Sequence, residues 1–312
     1  MILFEKRLSV LILLQFLLPF CSFAGSPAVS SGRVERLDLF PSVYVTPRTV
    51  DVWLPEGYPA DGPYAVVYFH DGQMLFDSTD TWNHQEWGVD ETFSRLQKSG
   101  KLLPCIVVGI WNGGKRRGYE YFPQRPFESL TSAAQDSLYK AQRSVDSLLL
   151  PEYRVQSDDY LSFIVKELKP FIDSSYRTDP RPQSTVLMGS SMGGLVSMYG
   201  MCEYPMVFGG AGCLSTHWLG TYSVAENPIP KAFLDYLYAN LPDPATHRLY
   251  FDRGTETLDS FYEPYQVIAD GICRSRGYAG KNFMTLVYKG DDHTERSWAR
   301  RLEQPAVFLL GQ

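Results

Sequence analysis

Apolar or alternating runs punctuate the chain at Arg48–Leu54, Ala65–Phe69, Cys105–Ile110, Thr185–Met188, Gly210–Leu214, Leu249–Asp252 and Phe283–Tyr288. Runs of this length with such flanks read as strands. Helical patterns lie between several of them. The clearest is Tyr160–Ile172, where Leu161, Ile164, Val165 and Leu168 recur at helical spacing, with Asp158 placed to cap it. Strands alternating with helices predict an α/β architecture: a mostly parallel central sheet covered on both faces. The stretch Pro123–Gln156, rich in Ser and Gln with one helical segment, interrupts the alternation and reads as a small insertion over the active-site rim. No repeat or Pro/Gly-rich linker divides residues 25–312, which predicts a single domain.

Residues 1–24 form a separate pattern. Lys6 and Arg7 precede the uncharged run Leu8–Phe20, and Ser22 and Ala24 stand at the minus-three and minus-one positions of a cut before Gly25. This predicts a signal peptide and export, to the periplasm or outside, with no stable membrane insertion after cleavage. Cys21 offers a lipoprotein alternative, but bulky Phe20 precedes it where a small residue is expected. In an oxidising compartment Cys105, Cys202, Cys213 and Cys273 could form disulfides, and their spacing matches no metal site. The net charge of -6 argues against nucleic acid as a partner, which requires a basic face.

In such sheets the chemistry sits just beyond the carboxyl ends of the strands. After Thr185–Met188 come Gly189, Ser190, Ser191, Met192, Gly193 and Gly194, then a helix-compatible segment. The string G-x-S-x-G alone arises by chance in about one chain in ten of this length. Its place between a strand and a helix makes it a nucleophile elbow with Ser191 exposed at the turn. Among five histidines, His293 follows the last strand, where an activating base belongs; His247 precedes a strand and His84 lies in a polar loop. The acid is expected after Leu249–Asp252. There Asp252 reads as structural, and Ser260 with Glu263 reads as a capping box for the next helix. That leaves Asp259 first and Glu256 as the alternative acid. An oxyanion hole requires two backbone N–H groups. Met192 supplies one, and Gly72 or, preferably, Gln73 the other, in the turn after Ala65–Phe69. His70 and Asp71 read as a hydrogen-bonded strand end rather than a metal pair.

Gly109–Lys115 nearly spells a phosphate loop, but Arg116 stands where a magnesium-binding hydroxyl is required. Lys115, Arg116 and Arg117 read as a solvated turn. Trp82, Trp87, Trp111 and Trp218 fall in or near loops after strands, where an indole could stack on a sugar or phenol.

Through Tyr68–Phe76 (YFHDGQMLF), Ile106–Asn112 (IVVGIWN), Tyr160–Asp173, Met188–Leu195 (MGSSMGGL) and Ser215–Trp218 (STHW), the chain resembles the esterase D-like family of α/β hydrolases from about Arg48 onward. That family includes feruloyl and acetyl xylan esterases and siderophore esterases. The resemblance implies a serine ester hydrolase without metal or other cofactor, with Ser191, His293 and Asp259 as triad, Gln73 and Met192 as oxyanion donors, and a small-molecule or carbohydrate-linked ester as substrate. Trp111, Trp218 and His217 become candidate substrate contacts. The same acyl-enzyme would serve an acyltransferase if an alcohol replaced water. A non-catalytic glycan- or siderophore-binding protein on this fold would predict a broken triad, whereas the sequence shows an intact one.

Overall fold

Seven runs too apolar to remain in water fold as strands, joined by one the pattern does not reveal, in a computed structural model that describes residues 25–141, 154–221 and 227–311. The predicted signal peptide and Cys21 lie outside these residues. The strands are β1 (Arg33–Phe40), β2 (Arg48–Leu54), β3 (Ala65–His70), β4 (Cys105–Ile110), β5 (Thr185–Ser190), β6 (Gly210–Leu214), β7 (Arg248–Arg253) and β8 (Phe283–Val287). They form one sheet in the order β1-β2-β4-β3-β5-β6-β7-β8, in which β2 runs antiparallel to both its neighbours, β1 and β4, and the remaining pairs are parallel. Every residue of β3 to β6 is buried, as expected for parallel strands covered on both faces.

Side chains alternate between two cores. Leu187 points to the one shared with helices Ser157–Phe163, Met192–Glu203, Ile229–Asn240 and Glu263–Ser275, whereas Val186 and Met188 point to the one shared with Val89–Lys98 and Glu303–Leu310. Strand β1 escaped the sequence pattern because it is an edge: only Val34 of its eight residues is buried. It is held partly by charge, Arg36 clasping both carboxylate oxygens of its cross-strand partner Asp51 at 2.8 and 2.9 Å.

The helix expected over Tyr160–Ile172 runs from Ser157 to Ser175 and widens into a π-turn at Ile164–Leu168, just ahead of Pro170, which lacks the N–H a regular turn would use. Asp158 does not cap it. The residue lies inside the first turn and accepts the Tyr199 hydroxyl at 2.6 Å. Nor do Ser260 and Glu263 form a capping box: the Ser260 hydroxyl donates to the Thr257 carbonyl, and Glu263 pairs with Arg253 at 3.0 Å. Among the described residues Cys105, Cys202, Cys213 and Cys273 are single thiols, all buried. Among the described residues no helix is long and apolar enough to cross a membrane.

Candidate active site

The turns after the parallel strands converge on a cavity of about 480 Å³. Strand β5 delivers Ser191 to it in a backbone conformation of φ 57 and ψ −122, outside the regions that L-residues ordinarily occupy. Holding a serine there costs about 1–3 kcal/mol, which the surroundings must offset. The Ser191 N–H donates to the Leu214 carbonyl at 2.9 Å, and its own carbonyl accepts from Gly194 and His217 at 3.1 and 3.2 Å. Two glycines make the turn possible, since a Cβ on Gly189 would lie 2.9 Å from the Gly193 carbonyl carbon. Ser191 thus heads the fully packed helix Met192–Glu203, whose first N–H groups carry partial positive charge.

His293 lines the same cavity. Its Nδ1 stands 2.5 Å from Oδ1 of Asp259, a carboxylate with no solvent exposure. The other oxygen, Oδ2, accepts the Gly254 N–H and the Ser215 hydroxyl, each at 2.5 Å. Burial alone would raise the Asp259 carboxyl, but the hydrogen bond and charge of His293 and the Ser215 and Gly254 donors outweigh it and hold the group below its ordinary value. An ionised Asp259 can only accept, so Nδ1 of His293 is the donor to it and the acceptor of a neutral imidazole would be Nε2.

The loops bearing this pair are laced through their backbones. Thr255 and Glu256 N–H groups both donate to the Asp291 carbonyl at 3.0 Å, and the His293 N–H donates to Thr257 Oγ1 at 2.9 Å. A Cβ on Gly254 would sit 2.2 Å from that Asp291 oxygen, so glycine is required for the approach. Glu256, the alternative acid, is exposed, and its carboxylate accepts from Thr255 Oγ1 at 3.3 Å.

Gln73 and Met192 both line the cavity. The turn carrying Gln73 presses against β4 where a Cβ on Gly72 would lie 2.4 Å from the Gly109 carbonyl carbon. The Gln73 side chain accepts the Asn112 N–H at 3.2 Å, which ties the turn to the next loop.

The structure separates the three candidate substrate contacts. His217 lines the cavity, its Nδ1 2.7 Å from the Tyr262 hydroxyl, and burial, with His293 and Arg117 adding, pushes it down to about 3, so it is neutral at pH 7. Trp111 stands outside the cavity: its indole N–H donates to Asp51 at 2.8 Å beneath the Arg36 guanidinium. Trp218 also lies away from it, fully buried against Phe251 and donating to Gln266 at 2.9 Å. Position after a strand did not reveal which way either indole turns.

Other wall residues were not anticipated. Arg117 is not in a solvated turn; it grips both oxygens of Asp71 at 2.7 and 2.8 Å on the cavity wall. Burial would raise Asp71, but Arg117 and the Asn112 side chain at 2.7 Å hold it below its ordinary value. The His70 side chain instead meets the Tyr160 hydroxyl at 2.8 Å, and the Asp71 N–H donates to the Tyr121 hydroxyl at 3.2 Å. The described part of 123–156 contributes no residue to the cavity, Phe127 being committed to Phe122 and Tyr139. Residues 142–153 of that stretch lie outside the described residues, and among the described ones Trp82, Asn83, Gln85 and Trp87 line the cavity. Asn83 reaches Glu295 at 2.7 Å, Gln85 accepts the Arg296 N–H at 3.2 Å, and Trp87 stacks on Trp298 with centroids 5.5 Å apart.

Residues 43–234 match the family model described as "Putative esterase". The chain is 27% identical over 211 residues to the uncharacterized protein YbbA of Bacillus subtilis (strain 168), an overlap of 67% of this chain and 68% of that protein. It is 28% identical over 180 residues to the ferri-bacillibactin esterase BesA of the same organism, 55% of each chain. Its fold superimposes on that of a ferulic acid esterase with a TM-score of 0.60 at 17% identity, over 89% of this chain and 98% of the other. The architecture is thus that of the α/β-hydrolase esterases, and by the extent of the family match the chain belongs to the esterase family.

Proposed function

We propose that this carboxylic ester hydrolase works through an acyl-enzyme on Ser191, with His293 as general base and Asp259 as the acid that orients it. The observation that carries the reading is the buried Asp259–His293 contact at the wall of a cavity that also presents Ser191 in its strained turn. Nε2 of His293 takes the proton from Ser191 Oγ as the oxygen attacks the ester carbonyl carbon. The developing oxyanion accepts the backbone N–H groups of Met192 and Gln73. The imidazolium, its Nδ1–H held by Asp259, then protonates the departing alcohol. Water repeats the sequence against the acyl-enzyme and releases the acid. Incubation with a fluorophosphonate followed by peptide mass spectrometry tests the nucleophile: the adduct is expected on Ser191, and an adduct elsewhere or none overturns the assignment.

The alcohol side of the substrate is carbohydrate-linked in this reading. Trp82 stands at the rim 82% exposed, beside Asn83 and Gln85. Leaving a large apolar side chain in water forgoes roughly 1.5–3 kcal/mol. An indole face next to amides suits the apolar face and hydroxyl edge of a sugar, and the similarity to a ferulic acid esterase favours a feruloyl group on the acyl side. Replacing Trp82 by alanine is expected to raise KM about fivefold on acylated xylo-oligosaccharides and leave methyl ferulate and p-nitrophenyl acetate within twofold. Equal effects on all three, or preference of the wild type for a siderophore ester, would refute the carbohydrate assignment. Export follows from the basic and apolar pattern of residues 6–20. Mass spectrometry of the exported protein is expected to find Gly25 at the N-terminus, and a retained, uncleaved chain would overturn it.

A further inference from the structure

We propose that Ser215 is a positioning residue for the acid–base pair, its hydroxyl proton committed to Asp259 because two other donors occupy its lone pairs. The inference rests on the assignment of Asp259 and His293 as acid and base. Ser215 lies just beyond β6 in a left-handed conformation, φ 43, and has no solvent exposure. Around its oxygen stand Asp259 Oδ2 at 2.5 Å, Trp298 Nε1 at 2.9 Å and Arg301 Nη2 at 2.7 Å.

A serine hydroxyl has one proton and two acceptor sites. An indole N–H and a guanidinium N–H can only donate, so they fill both acceptor sites and leave the hydroxyl proton a single destination, Asp259. Oδ2 is then saturated by Ser215 and Gly254, and Oδ1 remains for His293. The orienting acid is itself oriented.

The hub is anchored on both sides. Trp298 lies edge-on to the His293 ring with centroids 5.0 Å apart, and it stacks on Trp87 of the rim. Arg301 Nη2 also reaches Asp252 at 2.9 Å, and its Nη1 reaches Asp291 at 3.2 Å. Asp252 receives the Ser215 N–H at 3.1 Å and the Tyr250 hydroxyl at 2.9 Å. Burial raises its carboxyl to about 6 against the pull of Arg301 and these donors. The charged and titratable groups around the pair are thus Arg301 from the end of the helix Glu295–Arg301, Asp252 from β7, Asp291 from the base's own loop, and His217 and Tyr262 beside the imidazole.

The test compares Ser215→Ala and Ser215→Gly with wild type in the full chain. Glycine tolerates a positive φ without steric cost, so Ser215→Gly removes the hydroxyl from a backbone that accepts the change. Four readouts are taken: kcat and KM on p-nitrophenyl acetate, the pH profile of kcat/KM, thermal unfolding, and the low-field proton resonance of the His293 Nδ1–H, identified by its loss in His293→Ala. Both variants are expected to fold, to lose about 10- to 100-fold in kcat with KM within twofold, and to move or broaden the low-field resonance. The acid limb of the profile is expected at higher pH, because a carboxylate that has lost a donor holds the imidazolium proton more tightly. Unchanged kcat, profile and resonance overturn the proposal, and failure of Ser215→Gly to fold assigns Ser215 to structure instead. If the wild type shows no Ser191-dependent hydrolysis, the triad assignment fails, whereas the resonance still reports on the link from Ser215 to the Asp259–His293 pair.

Discussion

Ser191→Ala is expected to lower kcat on p-nitrophenyl acetate by about five orders of magnitude, with substrate affinity within a factor of a few. The magnitude follows from the way a nucleophile and its base act as one unit: without Oγ no acyl-enzyme forms, and only binding and the oxyanion donors remain. Alanine keeps a Cβ, so the backbone retains φ 57 and its steric cost, and the melting temperature should stay close to that of the wild type. Stopped-flow mixing should show a burst of p-nitrophenol in the wild type where deacylation is slower than acylation, and none in the variant. Substantial residual activity would mean that another group carries the acyl transfer.

Asp259→Asn is expected to cost about 10⁴ in kcat at neutral pH, with Glu256→Gln within twofold of wild type. The direction follows from the donors already described. The Gly254 N–H and the Ser215 hydroxyl both point at Oδ2, so in the variant the carboxamide oxygen must take that position. Its NH₂ then faces His293 Nδ1, which becomes an acceptor, and the ring proton moves to Nε2. The base is left protonated on the side where Ser191 must deliver its hydrogen. Steady-state kinetics of the two variants distinguish the candidate acids, and a reversal of their effects would move the acid to Glu256, which is exposed.

The interior strands were legible because burial on both faces leaves no room for polar residues: Cys105–Ile110 and Gly210–Leu214 fold over the same residues as the pattern predicts. Strand β1 was not, since Arg33, Glu35, Arg36 and Asp38 mark it as solvated and its stabilisation comes from its neighbour. The approach of Ser191 and His293 to one cavity was legible from motif and chain order. Which of Asp259 and Glu256 meets His293 was not, because it depends on the tight turn Thr257–Phe261, which buries one carboxylate and leaves the other residue exposed. Trp111 and Trp218 were misjudged for a related reason. The sequence shows an indole near a strand end, but Asp51 and Gln266, which take their N–H groups, are 60 and 48 residues away in the chain. The matched family segment, residues 43–234, includes Ser191 and stops before both Asp259 and His293.

The lacing of the loops after β7 and β8 is made by backbone groups around Asp291, Thr255 and Glu256, and by Thr257 against His293. Bonds of this kind, all donated by main-chain N–H groups, form with the fold and do not depend on an occupied cavity. The conformational entropy of bringing Asp259 and His293 together is therefore lost once, when the chain folds, and not again at each turnover of the proposed reaction.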